Sequence, residues 1–141
     1  MKNKMITTMV SLLLVILLAG AIAIIIIIYN GDHKAGSAPS IDEVLKNSVD
    51  VPEITTNLKS NNYIKISLKI ETDNKKAKSE LEKRDFQVKD SVIKELSETS
   101  ASEMDGIKGK EKLTNILKNK INSYMQNGKV IEIYITSYVI Q

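Results

Sequence analysis

Three hydrophobic patterns follow one another along the chain. From Met5 to Gly31 no side chain is charged, and fifteen of the 25 positions from Met5 to Tyr29 are Leu, Ile or Val. At about 1.5 Å of rise per residue that stretch makes a helix of roughly 37 Å, longer than the roughly 30 Å hydrocarbon core of a bilayer. From Tyr63 the pattern alternates, with Ile64, Ile66, Leu68 and Ile70 on one face and Lys65, Ser67, Lys69 and Glu71 on the other, the period of a half-buried strand. After Asp73 the period lengthens to that of an amphipathic helix: Ala77, Leu81, Val88, Val92 and Leu96 stand four or seven apart, with Ile93 alongside.

The segments between complete the expected order. Residues 30–40 (NGDHKAGSAPS) have linker composition. Ser40 and Glu43 have capping-box spacing and predict a short helix to about Asn47, with Ile41, Val44 and Leu45 on one side. Pro52 punctuates, a strand is expected over 53–58, and Lys59-Ser60-Asn61-Asn62 supplies the turn into the alternating segment. A helix over 74–97 is followed by a polar break, Thr99 to Gly109, with one helical turn around Met104. The next helix, 110–127, carries Leu113, Ile116, Leu117, Ile121, Tyr124 and Met125 on one stripe and ends on Gly128 at C′. In 129–141 both faces are apolar, Ile131, Ile133, Ile135 and Val139 against Val130, Tyr134, Tyr138 and Ile140, which predicts a central strand covered on both sides. The sum is one α+β domain, residues 41–141, of order α-β-β-α-α-β around an antiparallel sheet.

Charge orients the first segment. Lys2 and Lys4 precede it, whereas Asp32, His33 and Lys34 nearly cancel beyond it, so residues 1–4 are expected in the cytoplasm and everything past Tyr29 outside it. Tyr29 suits an interfacial anchor. The apolar run exceeds the roughly 7 to 15 residues of a cleavable signal, and Ala35-Gly36-Ser37-Ala38 lies too far past it, so the helix over 5–29 reads as a retained single-pass anchor. Ala19 and Ala23 would allow close helix approach. With no ionisable group in the span, the anchor is neither a channel nor a proton relay.

Composition then removes function classes. Residues 41–141 carry 17 basic and 16 acidic side chains, which offers no footprint for nucleic acid. The chain has no cysteine, hence no disulfide, thiol nucleophile or zinc-thiolate cage. Its one histidine, His33, sits in the linker without a nearby Ser, Cys or carboxylate cluster. No nucleophile-elbow, phosphate-loop or zinc-helix motif occurs, and Gly106-Ile107-Lys108-Gly109 is too sparse to hold phosphate. Asp85 and Asp90 could act as paired carboxylates but lie on a Lys-rich helix, where ion pairing is the simpler role. Arg84 is the one arginine against nineteen lysines; its planar fork serves either a structural ion pair or a partner contact. No enzyme, cofactor or metal is expected.

Four blocks carry a family resemblance: EITTNLKSNNYIKISLKIET (53–72), LEKRDFQVKDSVIKELSETS (81–100), GKEKLTNILKNKIN (109–122) and GKVIEIYITSYVIQ (128–141), the last ending on Gln141. Together with the basic N-terminus, single anchor and linker, they resemble the FliL family of flagellar basal-body-associated membrane proteins. The family's aromatic two residues past the equivalent of Tyr134 is replaced here by Thr136, next to Ile135. The resemblance implies a cell-membrane protein of the flagellum basal body, associated with stator units, supporting torque, swimming or swarming. It also implies a fold similar to stomatin-like (SPFH) domains and a homo-oligomeric ring around the stator. Partner or oligomer contacts are expected on the exposed face of the 74–97 helix, at Arg84, Asp85, Asp90 and Lys94, with Gly128, Tyr134 and Gln141 structural. Two other readings stay open: a membrane-tethered ligand-binding or sensory module unrelated to motility, and a membrane-anchored hydrolase using Asp85 and Asp90.

Overall fold

The uncharged segment forms one helix, α1 (Lys2–Asn30), whose Lys4–Ile26 stretch is long and apolar enough to cross a membrane. In the computed structural model residues 2–30 and 39–141 are described, and α1 and the segment Pro39–Gln141 are separate structural units. Most of the expected linker, 31–38, including His33, lies outside the described residues.

The second unit contains α2 (Ile41–Lys46), β1 (Ser48–Asn57), β2 (Tyr63–Thr72), α3 (Lys75–Lys83), α4 (Asp85–Glu98), α5 (Gly106–Asn122) and β3 (Val130–Ile140). The strands form one antiparallel sheet in the order β1-β2-β3. Ile64, Ile66, Leu68 and Ile70 of the central strand β2 are buried, as the alternation requires. They pack with Val51 and Ile54 of β1, Leu81, Val88, Val92 and Leu96 of α3 and α4, Leu113, Leu117 and Ile121 of α5, and Val130 and Ile133 of β3.

Four expectations are corrected. β1 begins five residues early, at Ser48, and runs through Pro52 with a register shift between Val51 and Ile54. Proline has no N–H to donate, and an edge strand with a bulge is where a sheet tolerates it. The expected 74–97 helix is two helices, because Arg84 (φ −95°, ψ 15°) leaves helical geometry. No glycine or proline marks that break, but it falls where the apolar stripe skips from Leu81 to Val88. The domain order is therefore α-β-β-α-α-α-β. The third helix spans 106–122, so Tyr124 and Met125 lie beyond it while still packing on the core, and Gly128 is not its C′ residue. Last, β3 is an edge strand, not a covered central one, and Ile131, Tyr134, Tyr138 and Val139 on it are exposed.

Candidate partner-docking surfaces

Arg84 faces inward onto its own domain. Its Nε donates to Glu80 Oε1 at 2.8 Å and its Nη1 to Gln87 Oε1 at 2.8 Å, so one guanidinium bridges the last turn of α3 and the first of α4. The same group lies 5.7 Å from the centroid of the Tyr124 ring, within cation–π range.

Glu80, unnoticed in the sequence, is the centre of this cluster. Its carboxylate also accepts from Gln126 N at 3.0 Å, Asn127 N at 2.7 Å and Asn127 Nδ2 at 3.1 Å, fastening α3 to the segment between α5 and β3. Loss of water around the carboxylate opposes its ionisation, but the Gln126 and Asn127 amides, Arg84 and the Asn127 side chain outweigh that and lower its pKa from 4.5 to about 2.

The outer face of α4 is different. Asp85 pairs with Lys89 at 2.7 Å and Asp90 with Lys94 at 2.8 Å, the i,i+4 pairs expected of a solvated helix surface. Between these pairs stands Phe86, the chain's one phenylalanine, with 70% of its surface exposed, and two turns on stands Ile93, 40% exposed. A large aromatic held in water and ringed by polar groups is the usual build of a binding hot spot. Apolar spacing could have flagged Phe86, since it falls off the buried stripe.

The β3 edge is the second exposed surface. Between it and α5 runs a groove of about 300 Å³ lined by Lys110, Glu111, Thr114 and residues Glu132 to Ile135. Tyr134 OH donates to Glu71 at 2.8 Å across the open face of the sheet, and this bond, followed by lost hydration and the charges of Glu71 and Glu132, raises the phenol's pKa. Lys110 Nζ sits 4.6 Å from the centroid of the Tyr138 ring. Gln141 exchanges both backbone hydrogen bonds with Tyr63, closing the end of the β2–β3 ladder.

Gly128 adopts φ +133°, and a Cβ there would press on Asp73 Oδ1, Asn74 Nδ2 and the Ala77 methyl. Of the anchor flanks, Lys4 is exposed, while the side chains of Lys2 and Tyr29 lie outside the described residues. Among the described residues no three His, Cys, Asp or Glu groups converge in metal-binding geometry. Asp85 and Asp90 each face a lysine.

The profile of the family described as flagellar basal body-associated protein FliL matches residues 48–141, beginning on the first residue of β1. A flagellar protein FliL of Bacillus subtilis (strain 168) is 57% identical over 109 residues, covering 77% of this chain and 78% of the relative. A flagellar protein FliL of Aquifex aeolicus (strain VF5) is 30% identical over 79 residues, 56% of this chain and 49% of that one.

Proposed function

The chain belongs to the family of flagellar basal body-associated FliL proteins, and from that premise we propose that it is a non-enzymatic accessory of the flagellar motor that docks on stator units at the cell membrane. In this reading residues 1–4 face the cytoplasm, α1 is the tether, and the domain from Ile41 onward works outside the membrane. There it supports torque for swimming or swarming, as a ring of copies with stomatin-like domains.

The observation that carries the reading is the α4 surface. Phe86 and Ile93 are exposed beside Asp85–Lys89 and Asp90–Lys94, a solvated charged rim around two apolar anchors, which suits protein contact. Arg84 supports that surface indirectly, by holding the α3–α4 angle from within.

Deleting the chain should leave flagellar filaments assembled and reduce or abolish swimming or swarming. Full-length Phe86→Asp should reach the membrane at normal level, keep the parent's helical content and fail to restore motility. Unimpaired motility in the deletion strain refutes the motor role. Full complementation by Phe86→Asp refutes the α4 contact.

A further inference from the structure

The two edges of the sheet are unlike. β1 carries Pro52, a bulge and the acidic side chains Asp50 and Glu53, the devices that keep edge strands from pairing. β3 has eleven residues without proline or glycine, Glu132 is its one charged side chain, and it pairs with a strand on one side alone. At its start Asn122 imitates a neighbouring strand, donating to Val130 O at 3.1 Å and accepting from Val130 N at 2.7 Å.

We propose that two copies of this chain pair through β3, edge to edge and antiparallel, making a six-stranded sheet with their α5 helices side by side over the junction. Side-chain direction permits it. Ile133 and Tyr138 oppose the buried Ile70 and Ile66 of β2, whereas Tyr134 and Ser137 oppose Lys69 and Ser67 of the other face. The register shift between Ser67 and Leu68 changes the alternation of β3 near Thr136. A two-fold axis between Ile135 and Thr136 then sets Ile133 against the second copy's Tyr138 and Tyr134 against its Ser137. Each pair comes from matching faces, as cross-strand packing requires.

Charge is self-complementary about the same axis. Thr114 and Ile135 line one groove, which brings the axis close to Thr114 along α5 and turns Glu111 of each copy towards Lys118 of the other. Glu111 has no ion-pair partner among the described residues, and Lys118 makes a loose contact with Glu132 at 3.8 Å. Both are thus available to a second copy. The two-fold lies normal to the sheet, so the helix layers of both copies stay on one side of it. The pair is isologous and closed; it is a different contact from the head-to-tail one of a ring and does not rest on the stator reading.

The absence of cysteine makes the test clean. Full-length Thr136→Cys, oxidised in native membranes, should cross-link as a dimer, while Thr55→Cys on the blunted edge should not. In the Thr136→Cys background, Glu111→Lys or Lys118→Glu should each lower the dimer yield about fivefold through like-charge opposition, and the double exchange should restore it. Three results overturn the proposal: no dimer at position 136, equal yield at 55 as encounters through the anchors would give, or no recovery in the double exchange.

Discussion

Gly128→Ala perturbs a single point where backbone conformation and space are both committed. The residue sits at φ +133°, and holding an L side chain in so sparsely populated a region costs about 1–3 kcal/mol. The new methyl also meets Asn74 Nδ2 at 2.5 Å, Ala77 Cβ at 2.9 Å and the Asp73 carboxylate. Asn74 is the N-cap of α3, accepting from Lys76 N at 2.8 Å and Ala77 N at 2.9 Å, and loss of such a cap costs about 1 kcal/mol. The sum is about 2–4 kcal/mol. For a domain near 100 residues that lowers Tm on the order of 10–25 °C. Circular dichroism of the full-length chain in micelles measures it. Gly106→Ala is the control, since Gly106 has φ +69° but nothing within 4 Å of a Cβ; it should lose about 1–2 kcal/mol. Gly128→Ala together with Asn74→Ala should lose less than the two singly, because both act on one cap. If Gly128→Ala stays within about 0.5 kcal/mol of the parent, or loses no more than Gly106→Ala, the argument from the α3 cap fails.

Acid should unlatch Glu80. Its folded-state pKa lies below its unfolded one, so its contribution is present above about 4.5 and is lost as the pH falls towards about 2; Glu80→Gln should flatten the fall of Tm over that window, and an unchanged slope would contradict the latch. Tyr134→Phe leaves the buried Glu71 carboxylate without its phenol donor and should cost about 1–2 kcal/mol in denaturant unfolding. Leu117→Ala, at a fully buried position of α5, should cost about 2–5 kcal/mol, against well under 1 kcal/mol for the exposed Ile107→Ala.

Much of the fold was legible where one period governs a segment. The alternation over 63–71 gave β2, its register of buried residues and the turn before it, and the stripes on α3, α4 and α5 gave the core-facing positions. What periodicity does not encode is who stands beside a strand. Residues 129–141 are apolar on both sides, and that composition serves equally a strand between two layers and an edge strand whose bulges turn apolar groups outward. Pro52 suggests a boundary because a proline usually stops a central strand, yet it is compatible with an edge. The break at Arg84 has no glycine or proline to mark it, and the skip of the apolar stripe from Leu81 to Val88 reads equally as a seven-residue step within one helix. Glu80 was invisible for another reason: its partners Gln126 and Asn127 lie 46 and 47 residues away. The Ser100-x-x-Glu103 spacing is a local signal in the sequence, and it forms a reciprocal cap with Ser100 N to Glu103 Oε2 at 2.9 Å and Glu103 N to Ser100 Oγ at 3.3 Å.

The Pro52 bulge also sets a limit on growth. A sheet with two open edges can be extended at both ends and, at the crowding of a membrane protein confined to a plane, is a seed for fibres. Here one rim is sealed. Any association that uses up β3 exposes only blunted β1 rims outward, so the process terminates itself after one step. The proline acts as a chain stopper at that rim, denying a further strand the N–H it would need there.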